Sequence, residues 1–282
     1  MRTFILCLAL ATAPLKYDVE VQVVELQISV VDQQGNFQTE LAPEDFLVYE
    51  NGVQQQVLDL ELHRQPFSIG IVLDTSSSME SQFMRAGRAA QDFVKALQPQ
   101  DEYFVMTFDD QIKIRSDMQL ASNSVIPDFF SYRYGERTRM YEGLMKAVDR
   151  LKTARYPHRA LFLISDGANT KGDYRLKDVI KIAQQNKVLI YSLIIQMGGA
   201  DVYVLGALSD QTGGTAFVLD KEFPRLDAAY KKIASDLAHR ITLYYHSTSD
   251  YSQEGKPQIE IHMKNPDLRV RFQKAYYFQT TE

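Results

Sequence analysis

Cysteine is all but missing from this chain: Cys7 is its single representative, so no internal disulfide can staple the fold and no cysteine cluster can hold a metal. Long apolar runs are scarce as well. The run Phe4 to Leu10 falls far short of the roughly 20 residues needed to cross a bilayer, which disfavours a permanent transmembrane anchor. Clustered positive charge is also lacking. The formal net charge is -5 and Lys and Arg are scattered, so the counterion release that drives phosphate-backbone binding has no basis and nucleic acid is not an expected partner. No G-x-x-x-x-G-K-[ST] segment is present, which excludes a P-loop motor. His63, His158, His239, His246 and His262 lie far apart, without metal-ligand spacing or a triad context.

What is there reads as a folded, water-facing protein. A hydrophobic share of 45% with 24% charged residues argues against both disorder and a polytopic membrane protein, and the length suits one large domain or two modest ones. The first residues carry one positive charge at Arg2, the short apolar run, and small residues at Ala11 and Ala13, the pattern of a secretory signal peptide over 1–13. Export to the periplasm, cell surface or medium is the expectation. A processed chain would then carry no cysteine, which suits an oxidising compartment.

Hydrophobic periodicity changes twice along the chain. Over 16–66 it is two: Val19, Val21 and Val23 alternate with polar residues, then after a one-residue slip Leu26, Ile28 and Val30 continue, which predicts a bulge or a second strand. Phe46 to Glu50, Asn51-Gly52 and the alternating Leu58, Leu60 and Leu62 predict a hairpin, because Asn-Gly tolerates the two positive-φ positions of a type I′ turn. Over 67–241 short apolar runs (Ile69 to Leu73, Tyr103 to Phe108, Ala160 to Ile164, Val188 to Ile195, Thr215 to Leu219) alternate with helical stretches. One of these places Phe83, Ala86, Ala90, Phe93, Val94 and Leu97 on one stripe, and others are expected at 139–152, 174–186, 201–210 and 223–240. Such alternation is that of an α/β fold with a doubly wound, mostly parallel sheet. After His239 the period returns to two, at Ile241, Leu243 and Tyr245, Ile259, Ile261 and Met263, and Leu268, Val270 and Phe272, and 242–282 forms the second β flank. Neither flank alone is long enough for a comfortable core, so the two are expected to pair into one small β-sandwich with the α/β domain inserted; two separate β modules are the alternative.

Oxygen-bearing residues gather at predicted strand ends. Asp74-Thr75-Ser76-Ser77-Ser78-Met79 follows the first α/β strand directly and precedes a helix, the place where open α/β sheets bind ligands. Alone, that string is explained by helix capping. Two further features weigh against so bland a reading. Asp166, in Ser165-Asp166-Gly167, ends another apolar strand, and Thr138 stands just before another helix. Asp with two Ser, then Thr, then Asp, in that order, resembles the metal-ion-dependent adhesion site (MIDAS) of von Willebrand factor type A domains. The resemblance covers residues 67 to about 240, including the stretch Thr138 to Leu144. A more distant likeness, carried by Pro43-Glu44-Asp45-Phe46, Tyr49-Glu50-Asn51-Gly52, Arg269-Val270-Arg271 and Tyr276-Tyr277, is to secreted bacterial VWFA-related proteins of the acidobacterial type.

The resemblance implies that Ser76, Ser78 and Thr138 ligate a divalent cation, with Asp74 and Asp166 ligating directly or through water. It further implies that a protein partner's Asp or Glu carboxylate completes the coordination. Hard oxygen donors suit Mg²⁺ first, then Mn²⁺ or Ca²⁺, and disfavour zinc. The Tyr- and Arg-rich run Tyr132 to Arg139 is expected at the rim, with Arg137 or Arg139 favouring an acidic ligand. Enzyme readings rank lower. Leu73-Asp74-Thr75-Ser76 also resembles the aspartic-protease motif, but occurs once and precedes a helix; a metal hydrolase would need a general base that nothing here supplies. A metal-stabilised structural domain and an assembly subunit beside an ATPase are the non-adhesive alternatives.

Overall fold

The computed structural model describes residues 22–62, 65–123, 128, 134–195, 201–219, 226–249 and 257–274; the signal-like segment, Val19, Val21, His63, Tyr132, Arg133, Tyr276 and Tyr277 lie outside them. Two six-stranded sheets organise these residues. The first takes β1 (Gln22–Val31), β2 (Phe46–Glu50) and β3 (Val53–Glu61) from the N-terminal flank, and β10 (Ile241–Ser247), β11 (Ile259–Met263) and β12 (Arg269–Phe272) from the C-terminal flank. Its order is β11-β2-β3-β10-β1-β12, antiparallel throughout, so the two flanks share one sheet. Five spacings of about 4.8 Å set its edges about 24 Å apart if flat, whereas the link 264–268 reaches only about 20 Å. The sheet therefore curls, and β11 and β12 come into contact. Inside the curl lie Leu26, Ile28 and Val30, with Phe46, Val48, Leu243, Tyr245, Ile259 and Ile261.

Two details differ from the sequence pattern. β1 has no bulge: Val23 faces solvent, Val24, Leu26, Ile28 and Val30 face inward, and Gln22 to Ile28 pair with β10 without a shift. The bulge lies in β3, where the register slips between Val57 and Asp59. Leu58 is the extra residue and is exposed, so Val57 and Leu60 pack inward while Leu62 also faces out. The hairpin is as expected, with Asn51 at φ 51° and Gly52 at φ 78°.

The second sheet contains β4 (Phe67–Asp74), β5 (Glu102–Phe108), β6 (Ile112–Leu120), β7 (His158–Ser165), β8 (Val188–Ile195) and β9 (Ala216–Leu219). Its order is β6-β5-β4-β7-β8-β9, parallel except for β6. Every residue of β4, β5 and β8 is buried, as their unbroken apolar runs require. Helices α1 (Phe83–Ala96) and α5 (Leu226–Ala238) cover one face; α2 (Met140–Leu151), α3 (Leu176–Gln185) and α4 (Val202–Thr212) cover the other. Strand β6 carries no helical or unbroken apolar signal. Its residues Ile112, Ile114, Met118 and Leu120 do alternate with polar ones, but it is a half-exposed edge strand whose register shifts twice against β5, so the alternation marks no single buried face and Ile114 is exposed.

The order of the parallel strands reverses direction between β4 and β7, the topological switch point where a crevice opens beyond the carboxyl ends. Entry into β4 and exit from α5 both lie at the opposite end. There Arg240, nearly fully buried, donates to the carboxylate of Asp236 (2.9 Å), the hydroxyl of Tyr191 (2.9 Å) and the carbonyls of Gln27 and Gly213. Burial works against its charge, but Asp236 and Tyr191 outweigh that and hold the guanidinium protonated.

Candidate metal centre

Five expected site residues sit at or around the switch point. Asp74 is the last residue of β4 and fully buried. One carboxylate oxygen accepts from the Ser76 backbone N-H (2.9 Å) and hydroxyl (2.6 Å), and the other accepts from the Ser165 hydroxyl (2.7 Å). Ser76 Oγ lies 3.1 Å from Ser78 Oγ. Ser76 is buried and Ser78 exposed, so this chain of oxygens runs from the interior to the surface. A short 3-10 turn, Ser77–Gln82, then leads into α1.

Asp166 follows β7 and is 6% exposed. One of its oxygens accepts from the Ala168 N-H (2.9 Å), and its carbonyl accepts from the Asp201 N-H (2.8 Å), which ties it to the start of α4. Gly167 takes φ +87°, and a Cβ there would come within 2.8 Å of the Asp201 carbonyl, so glycine is needed to make the turn.

Thr138, buried before α2, joins the group through backbone. Gly135 pairs with β4's extension: its N-H donates to the Thr75 carbonyl (3.1 Å) and its carbonyl accepts from the Ser77 N-H (2.8 Å). A Cβ on Gly135 would meet Asp109 Cβ at 2.7 Å, so only glycine allows that approach. The Thr138 N-H donates to Thr170 Oγ1 (2.9 Å), and its carbonyl accepts from the Thr170 and Lys171 N-H groups.

Burial pushes the Asp74 carboxyl up to about 7; hydrogen bonds from Ser76 and Ser165 pull the other way, and the Asp166 charge adds to the rise. Among the described residues, no Lys, Arg or His pairs with Asp74 or Asp166. Nor do three His, Cys, Asp or Glu side chains gather in a metal-sized group there, because hydroxyls make up much of this donor set. The residues around this group that motif reading passed over act as supports. Ser165 braces Asp74, and Thr75 Oγ1 donates to Asp109 Oδ2 (2.9 Å), fixing the β4 and β5 ends together. Asp110 accepts from the Glu136 (2.7 Å) and Arg137 (3.3 Å) N-H groups. Of the two rim arginines, Arg137 is exposed, whereas Arg139 pairs with Glu142 on the first turn of α2.

The family model for the von Willebrand factor type A domain matches residues 68–232, and the chain belongs to that family. Among solved structures, a von Willebrand factor type A protein of Catenulispora acidiphila matches with a TM-score of 0.56 at 11% identity, over 93% of this chain and 74% of that one. The ArnB paralog VWA2 of Sulfolobus acidocaldarius gives 0.50 at 11%, over 90% and 75%. Proximal thread matrix protein 1 of the mussel byssus, solved with zinc in its MIDAS motif, gives 0.48 at 18%, over 66% and 48%. The first two likenesses carry the fold alone. No curated protein matches the sequence.

Proposed function

We propose that the chain is a divalent-metal-dependent protein-binding module, with Asp74, Ser76, Ser78, Thr138 and Asp166 holding the cation. The observation that carries this reading is the pair of buried carboxylates, Asp74 and Asp166, without a basic partner among the described residues. A buried anion is costly unless a cation or strong donors offset it; here Asp74 accepts from the Ser76 and Ser165 hydroxyls, with Ser78 Oγ beside Ser76, and Asp166 accepts from the Ala168 N-H. Carboxylate and hydroxyl oxygens fit a hard ion, Mg²⁺ before Mn²⁺ or Ca²⁺. A bound ion supplies a position that a partner's Asp or Glu carboxylate can take. In this reading the protein residues orient the ion and leave the exposed Ser78 side open to the partner. We read the role as adhesive or assembling in preference to hydrolytic, because the described histidines, His158, His239, His246 and His262, all lie away from this end of the sheet.

The same reading divides the chain into a signal peptide at 1–13, an inserted domain at 67–241 and a β unit from 16–66 and 242–282. It places the protein outside the cytoplasm, and no described helix is long and apolar enough to cross a membrane.

Thermal unfolding in chelator and in Mg²⁺, Mn²⁺, Ca²⁺ or Zn²⁺ tests the site, with wild type beside Asp74→Ala. An ion bound only to the native state at one hundred times its dissociation constant adds about 2.7 kcal/mol. The expected result is a shift in wild type that the variant lacks; no shift at millimolar metal in wild type removes the reading.

A further inference from the structure

The exposed tyrosines among the described residues are not spread over the surface. Among the described residues the tyrosines that face solvent are Tyr134, Tyr174 and Tyr203, and all three lie at the carboxyl end of the α/β sheet. Tyr134 directly precedes the Gly135 that pairs with the Ser76 segment, and its ring packs edge-on against Phe83 at 5.3 Å. Next to Phe83 stands Met84, 62% exposed. Across the crevice, the Asp201 N-H binds the Asp166 carbonyl, and the two following residues, Val202 and Tyr203, are exposed, Tyr203 to 80%. Tyr174 stands on a third side, in the segment that runs from Thr170, the partner of Thr138, to the start of α3.

A tyrosine left in water at such exposure gives up burial that the fold could have used, and exposed apolar groups collected at one end of a domain mark an interaction site. Resting on the metal-binding reading above, we infer that the partner is a protein segment whose Asp or Glu carboxylate is flanked by apolar side chains, which pack on Tyr203 and Val202 on one side, on Tyr134 and Met84 on another and on Tyr174 on the third. The chemistry selects such a segment over an acidic polysaccharide. Met84 and Val202 offer a sugar hydroxyl no hydrogen bond, whereas they suit the side chains beside a peptide carboxylate, and aromatic anchors around a desolvated polar centre are the anatomy of protein interfaces.

The test uses the full chain and three probes: a peptide with a central Glu flanked by Leu and Phe, the same peptide with Ser in the flanks, and polygalacturonate. Each is titrated in Mg²⁺ and in chelator against wild type and the double variant Tyr174→Ser/Tyr203→Ser, with the Mg²⁺-induced thermal shift recorded for both proteins. The expected result is at least tenfold tighter binding of the Leu/Phe peptide than of the Ser peptide in Mg²⁺ only. The double variant should cut that preference to about twofold while keeping its Mg²⁺ shift. Equal binding of the two peptides with the Mg²⁺ shift intact overturns the inference and leaves the metal site standing. Absence of the Mg²⁺ shift in wild type overturns both. Tyrosine-dependent binding of polygalacturonate in preference to either peptide overturns the assignment to a protein segment.

Discussion

Asp74 is buried as completely as any leucine of the core, yet it is a carboxylic acid whose proton is held to about 7 chiefly by that burial. The unfolded chain releases this proton near 3.8, so without metal the folded state binds more protons over the interval between. The stability that this group contributes is therefore complete below the lower value and lost as pH rises through the upper one. In chelator, the urea midpoint is expected to fall between about pH 4 and about pH 7 and to level off above, and Asp74→Asn should flatten that fall. Mg²⁺ should restore more stability at the alkaline end than at the acid end, since the ion and the proton compete for the same oxygens. A wild-type profile as flat in chelator as that of Asp74→Asn would show that the carboxyl titrates as an ordinary surface group. The five candidate ligands were legible in the sequence because each stands at a strand end or before a helix, where local pattern is strongest. Their braces were not: Ser165 meets Asp74 from 91 positions away, and Asp109 meets Thr75 from 34.

At the scale of elements, the junction between α5 and β10 depends on one side chain. Arg240 connects α5 through Asp236, β8 through Tyr191, β1 through the Gln27 carbonyl and the α4–β9 turn through the Gly213 carbonyl. Removing one partner of a buried ion pair strands the other's charge, at a cost of about 3–5 kcal/mol. Arg240→Ala is expected to lose that much in urea unfolding, and the double variant Arg240→Met/Asp236→Leu should recover a large part of it. A loss below about 1 kcal/mol would mean that water already reaches the pair. Asp236 and Arg240 do not stand out in the sequence, because the partners that give the pair its meaning, Tyr191 and Gln27, come from other strands. The same limit hid the bulge at Leu58: three alternating leucines read as one face until the register against β10 fixes which of them is the extra residue. Strand β6 escaped for a different reason: Ile112, Ile114, Met118 and Leu120 alternate with polar residues, but Ser116 interrupts the series and the pattern lies outside the unbroken apolar runs by which the other strands of this sheet are legible.

For the molecule as a whole, the shared antiparallel sheet makes the two ends of the chain depend on each other. Strand β10 has β1 and β3 as its neighbours, β11 pairs with β2 and β12 with β1. A chain lacking residues 1–66 would leave β10 bare on both edges and expose Ile241, Leu243 and Tyr245, a row of apolar residues with open hydrogen-bonding groups. Such a chain is expected to aggregate or to bind a hydrophobic dye strongly, whereas the full chain should not. Full solubility and an unchanged urea midpoint for 67–282 would show that the C-terminal strands need no partner from the other flank.

The opposed placement of the two ends of β4 has a mechanical consequence. Phe67 joins the strand to the β unit and Asp74 stands at the other end among the proposed metal ligands, so tension between a gripped partner and the rest of the molecule would run along the strand axis. Strand β4 is bonded to β5 on one side and β7 on the other over nearly its whole length. A pull in that direction loads both ladders in shear, and their bonds must give way together instead of unzipping one at a time.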